Sequence, residues 1–162
     1  MSEIKIVHNK IDEAISVMQE VAAWGREHGF RVWPKEWLEK TELLSDEVKE
    51  EHFCLGELDD NIACAFILQD RDLSYWPTAP VGEAVYLHKL CVRRKFAHQG
   101  MTRAVVEAIR KECLERKIKY IRLDTALDEK VVRKIYLSAG FKIVDIIDYE
   151  NGRSMALYEM EV

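Results

Sequence analysis

The 162-residue chain is poor in proline (three) and glycine (seven), and it has no low-complexity tract, repeat or linker-like stretch. That scarcity argues against a collagen-like, disordered or multi-domain organisation and predicts one continuous domain over residues 1–162. No apolar run approaches the ~20 residues of a membrane span, and the opening MSEIKIVHNK has no signal-peptide core, so the expected location is cytoplasmic and no membrane partner is expected. The four cysteines, Cys54, Cys64, Cys91 and Cys113, form no CxxC pair and have no histidines at zinc-ligand spacing. A disulfide framework and a metal site are therefore not expected, and the thiols read as reduced and mostly buried. There is also little positive charge to spare: the net charge is -5, which argues against nonspecific nucleic-acid binding.

One absence is local. Between Ala84 and Val106 there is no acidic residue, while Lys89, Arg93, Arg94, Lys95, His98 and Arg103 all fall inside that window. An acidic protein thus keeps one stretch suited either to an anion or to a plain solvated basic turn. Neither GxxxxGK[ST] nor GxGxxG occurs, so the usual nucleotide fingerprints are missing.

What is present reads as an alternation of elements. IKIVHN suggests a strand, followed by a helix carrying Ile11, Ala14, Ile15, Met18, Val21 and Ala22 on one face, with Asn9 as its cap. Residues 30–51 suggest one or two short helices around a break at Trp33-Pro34. Two strands, His52–Leu58 and Ile62–Gln69, flank a turn at Asp59-Asp60-Asn61. A loop from Arg71 to Gly82 precedes the strand Ala84–Val92. Helical spacing then marks Met101, Ala104, Val105, Ala108, Ile109 and Cys113. The strand Tyr120–Asp124 leads into a helix capped by Thr125, with Val131, Val132, Ile135, Tyr136 and Ala139 on one face and Gly140 at its end. Strands Lys142–Asp148 and Ser154–Met160 close the chain around Glu150-Asn151-Gly152. This order implies an α/β (α+β) fold, a mixed sheet with helices on both faces.

The run Leu90 to Arg103 passes from a buried strand into a helix start. Unpaired N–H groups and the helix dipole suit such a turn to a diphosphate, provided that Gly100 admits close backbone approach. Here the chain resembles a known family: residues 84–141 look like the acetyl-CoA-binding core of the GNAT superfamily of N-acetyltransferases. The family's turn, [RQ]xxGx[GA], matches positions Ala97, His98, Gln99, Gly100, Met101 and Thr102. Gly100 matches strictly, while Ala97 and Thr102 depart from the pattern. Tyr136-Leu-Ser-Ala-Gly140-Phe141 matches the YxxxGF ending of the family's next helix, although an Asn common earlier in that helix is replaced by Asp128 or Glu129.

The resemblance implies a GNAT-like domain with a mostly antiparallel sheet of about seven strands, and acetyl-CoA as co-substrate with no metal. It implies backbone contacts to the pantetheine arm from Leu90, Cys91 and Val92, and phosphate contacts from Ala97, His98, Gln99, Gly100, Met101, Thr102 and Arg103. It also implies a tyrosine, Tyr136, that protonates the departing thiolate. For the general base the candidates are His88 and Glu83, with Asp124 on the next strand. The expected reaction is direct transfer of an acetyl group to a small-molecule amine. A non-catalytic acyl-CoA-binding module and a protein or peptide N-acetyltransferase stand as alternatives, and the C-terminal hairpin offers a possible homodimer edge.

Overall fold

The computed structural model describes residues 3–162. Seven strands form one sheet: β1 (Lys5–Val7), β2 (Phe53–Leu58), β3 (Asn61–Gln69), β4 (Ala84–Val92), β5 (Tyr120–Ala126), β6 (Lys142–Asp148) and β7 (Ser154–Glu161). Their order is β1-β2-β3-β4-β5-β7-β6, and every neighbouring pair is antiparallel except β4 and β5. The helices are α1 (Ile11–Glu27), α2 (Lys40–Leu43), α3 (Met101–Arg116) and α4 (Lys130–Ser138). No helix among the described residues is long and apolar enough to cross a membrane.

The sheet is covered on both faces because its central strands are apolar on both. Cys64, Phe66 and Leu68 of β3 face a core built with Met101, Val105, Ile109 and Cys113 of α3. Their alternates Ala65 and Ile67 face a second core with Ile11, Ala14, Met18 and Ala22 of α1. A mixed sheet of seven strands under helices is therefore what the alternation of elements predicted. The β2–β3 turn is also as expected: Asp59 and Asp60 both take positive φ, 49° and 64°, the requirement of a two-residue type I′ hairpin.

Three local expectations are corrected. Asn9 does not cap α1; it turns the chain at φ 59°, and the cap position belongs to Lys10, which makes no side-chain cap bond. Asparagine tolerates that left-handed kink, which redirects β1 into α1. Thr125 does not cap α4, because pairing with β7 carries β5 on to Ala126 and the Thr125 hydroxyl meets the Tyr158 hydroxyl at 2.9 Å. The expected buried face of α4 is mostly wet, with Val131 74% and Ile135 42% exposed; of that face only Tyr136 and Ala139 pack on the α3-side core. The closing hairpin turns at Glu150-Asn151-Gly152 as expected; of these three only Gly152 has positive φ, its N–H reaches the Tyr149 carbonyl at 3.0 Å, and the Tyr149 N–H reaches the Arg153 carbonyl at 2.8 Å. That is a three-residue loop ending in a left-handed glycine.

Candidate active site

The site lies where the one parallel pairing ends. β4 and β5 are bonded only from Ala84 against Tyr120 to Tyr86 against Arg122. Beyond Tyr86 the two strands part, leaving one backbone edge of β4 open toward β5 from Leu87 to Val92. At the closed end Arg122, 6% exposed, donates to Glu83 at 3.1 Å, to Glu159 at 2.9 Å and to the Tyr86 hydroxyl at 3.0 Å. This buried guanidinium and its paired carboxylates pin the strands together just before they separate.

A bulge breaks β4 at the opening. Ala65 pairs with Cys91 but Ile67 pairs with His88, so Phe66 alone opposes Lys89 and Leu90. Lys89 takes φ 56°, an uncommon conformation for a lysine in a strand. The extra residue shifts the alternation: Val85, Leu87, Leu90 and Val92 all belong to the α3-side core, so His88 and Lys89 are both turned off it.

His88 is held between two carboxylates. Its Nε2–H donates to Asp72 Oδ2 at 3.0 Å, and its Nδ1 lies 3.6 Å from Asp124 Oδ1. Since a carboxylate can only accept, the Asp72 bond places the proton on Nε2 and leaves the Nδ1 lone pair free. Asp72 is 6% exposed and sits at the head of the loop after β3. Its carbonyl accepts from the N–H groups of Tyr75 at 3.3 Å and Trp76 at 2.8 Å, a tight turn that fixes its side chain. Asp124 is half-buried, with its Oδ1 fully buried and without a hydrogen-bond partner among the described residues; burial pushes its pKa up, with His88 pulling the other way.

Asp72, His88 and Asp124 place ligand atoms within 4.8 Å of one another, so their donor set could in principle take a cation. The 3.0 Å bond from Nε2 to Asp72 is already the geometry of an oriented imidazole. Sequence reasoning named His88 and Asp124 but missed Asp72, since no spacing rule ties a loop residue to a strand across an irregular segment.

The anion turn lies at the other end of β4. His98 and Gly100 take φ 60° and 74°, and α3 starts at Met101 with no acidic residue in its first turn. Two left-handed residues flanking Gln99 expose successive backbone N–H groups ahead of a helix N-terminus, which suits phosphate oxygens. Gln99 itself donates to the Lys95 carbonyl at 3.1 Å, Met101 is buried, and Arg103 bonds the Ser138 carbonyl at the end of α4. The basic run is divided: Arg93 pairs with Glu20 at 2.9 Å, and Arg94 stacks 3.7 Å above the Trp24 ring. Lys95 is the exposed cation left near the turn.

The remaining sequence candidates are less central. Tyr136 stands against the rings of Phe141 and Tyr158, at 5.8 and 6.2 Å between centroids, and burial pushes its pKa up, so its hydroxyl keeps its proton. Cys91 points into the α1-side core with its thiol 3.7 Å from the Ala65 carbonyl; burial pushes it up to about 12, which removes it as a nucleophile.

The model of the acetyltransferase (GNAT) family matches residues 18–141. A curated relative, the uncharacterized N-acetyltransferase YesJ of Bacillus subtilis (strain 168), is 23% identical over 145 residues, covering 85% of this chain and 79% of that protein. A GNAT-family acetyltransferase of Listeria monocytogenes superposes with a TM-score of 0.74 at 20% identity, over 98% of this chain and 95% of its own. A Bacillus subtilis acetyltransferase in complex with CoA superposes with a TM-score of 0.62 at 17% identity, over 100% and 99% of the two chains.

Proposed function

Because the chain belongs to the acetyltransferase (GNAT) family, we propose that it moves the acetyl group of acetyl-CoA onto the primary amine of a small molecule by direct attack in a ternary complex. The observation that carries this reading is the Asp72–His88 pair at the mouth of the opening between β4 and β5. A carboxylate-oriented imidazole with one free nitrogen is what removal of a proton from an ammonium requires.

The features that acetyl-CoA needs are supplied by backbone more than by side chains. The His98–Met101 turn and the N-terminus of α3 would take the diphosphate, with Gly100 permitting close approach and Lys95 adding charge. The altered Ala97 and Thr102 do not disturb this role, which belongs to main-chain N–H groups. Arg103 stiffens the site from behind by tying α3 to α4. The open edge of β4 at Leu90, Cys91 and Val92 would pair with the pantetheine arm as an added strand. A main-chain N–H near Leu90 would polarise the thioester carbonyl, a contact typically worth several kcal/mol. When bound, acetyl-CoA supplies an activated acyl group with a thiol leaving group.

The acceptor amine is charged at neutral pH, and freeing a lysine-like amine of pKa ~10.4 at pH 7 costs about 4.6 kcal/mol. His88 Nδ1 takes that proton, directly or through water, while Asp72 keeps the imidazole oriented and stabilises its charged form. Tyr136 Oη, held protonated by burial, donates to the departing sulfur. Glu83 has no proton-transfer role here, because its carboxylate is committed to Arg122 at the closed end of the strands.

The test is release of free CoA thiol with a panel of primary amines by wild type, His88→Gln and Tyr136→Phe. The reading predicts turnover with at least one small amine and a loss of roughly 100-fold or more in kcat/KM for His88→Gln. Folded protein that binds acetyl-CoA yet acetylates no amine would make it an acyl-CoA-binding module, and turnover confined to peptide N-termini would make the acceptor a protein.

A further inference from the structure

A half-buried lysine stands at the active-site bulge, with no carboxylate among the described residues in ion-pair reach. Lys89 is displaced off the α3-side core by the extra residue in β4, and its φ of 56° is a strained choice for any residue with a side chain. Its ammonium lies 5.1 Å from the centre of the Trp33 ring, and no carboxylate among the described residues comes within ion-pair distance of it. Burial pushes its pKa down, and the field of Asp124 only partly restores it. A charged group kept in such surroundings without a partner is costly unless something else supplies the counter-charge.

The opposite charge in the same cleft is also incomplete. Asp124 Oδ1 is buried without a hydrogen-bond donor, 3.6 Å from the ring nitrogen of the neighbouring His88. Asp124 and Lys89 feel one another's charge, yet no ion pair joins them. A carboxylate and an ammonium thus stand near the imidazole that would take the amine's proton, without pairing with one another.

We infer that the acceptor is a free amino acid, or an amine with a carboxylate a few bonds away, whose amine contacts both His88 Nδ1 and Asp124 Oδ1 from the open side of the pair and whose carboxylate pairs with Lys89 over the Trp33 ring. The inference rests on the acetyltransferase reading above and narrows its acceptor. It disfavours polyamines, because Lys89 would repel a second ammonium, and it disfavours peptide N-termini, where the carboxylate has become an amide. Lys89 is then a specificity-determining residue, which gives a purpose to the bulge that sets its ammonium over the Trp33 ring.

The experiment is a calorimetric titration of the protein saturated with CoA, using leucine, methionine, phenylalanine and tryptophan, and their decarboxylated counterparts isoamylamine, 3-methylthiopropylamine, phenethylamine and tryptamine. Initial acetylation rates with the same compounds follow. Wild type should prefer at least one amino acid over its matched amine by about tenfold to hundredfold, the scale of one charge-assisted contact. Lys89→Met should erase most of that ratio, and Lys89→Arg should keep it, which separates a lost charge from a lost fold. Equal or better binding of the decarboxylated amines by wild type, or an unchanged ratio in Lys89→Met, would overturn the assignment. Failure of CoA itself to bind in the first titration is a separate result that counts against the acetyltransferase reading, and amino-acid preference is then read on the free protein.

Discussion

The carboxylate of Asp72 accepts the Nε2–H of His88 at 3.0 Å, and a loop residue thereby decides which nitrogen of a strand residue is free. Replacing it with Asn leaves a side chain of the same shape that can also donate, so the imidazole loses its fixed tautomer. Asp72→Asn should keep the fold and the affinity for acetyl-CoA while lowering kcat by about 100-fold or more. It should also change the pH dependence of kcat. Steady-state kinetics across pH 6 to 9 check this; an unchanged profile would reduce Asp72 to a packing role.

Asp124 should cost stability in exchange for function. Its pKa is raised on folding, chiefly by burial. A carboxyl of that kind favours the folded state while protonated; the contribution is complete below the ordinary carboxylate value and is lost as pH rises through the raised one. At pH 7 the charged form is thus a burden, and Asp124→Asn should stabilise the protein by about 1 kcal/mol, raising Tm by roughly 2–4 °C. The gain should shrink toward pH 4, and acetyl transfer should fall. A lower Tm at pH 7 would mean that attraction from His88 and Lys89 outweighs burial.

All four thiols should be silent in the native protein. Burial pushes Cys54, Cys64 and Cys91 up to about 12 and Cys113 up to about 11. At pH 8 the thiolate fraction is then about 0.1% or less. An aromatic disulfide reagent should label none of them within an hour and all of them in denaturant. Rapid labelling of Cys91 that acetyl-CoA prevents would revive a covalent route.

Far from the active site, His8 Nε2 lies 2.5 Å from Glu112 Oε1, and that hydrogen bond raises the histidine's pKa against the opposing effect of burial. Its contribution to stability is complete below about 6.5 and is lost as pH rises through the raised value. With the His8 side chain 44% exposed, the effect is below about 1 kcal/mol. Thermal unfolding of His8→Gln should therefore fall behind wild type at pH 5.5 and approach it at pH 9.

The frame of this protein was legible where apolar periodicity and turn chemistry agree. The strand Ala84–Val92, the glycine turn and the face of α3 all follow from the spacing of buried residues and a window empty of acids. His88 and Asp124 were legible as candidates because they interrupt apolar strands. Asp72 was not, since only the fold of its loop brings it to His88, and the Lys89 bulge has no sequence signature because lysine seldom adopts positive φ. Capping failed at Asn9 and Thr125, where tertiary pairing overrides local preference, and α4 misled because a short flanking helix can leave an apolar face in water.

The central claim, that the glycine turn and the parted strands hold acetyl-CoA, is tested most directly by calorimetric titration of wild type and Gly100→Asp with acetyl-CoA, CoA and ATP. Gly100 has φ 74° at the head of α3, so the substitution puts strain and a negative charge where the diphosphate would sit. The account predicts micromolar binding of both CoA forms by wild type, no comparable binding of ATP, and at least tenfold weaker binding of acetyl-CoA by the folded variant. Wild type that stays folded and binds neither CoA form, or a variant that binds acetyl-CoA as tightly as wild type, would contradict it.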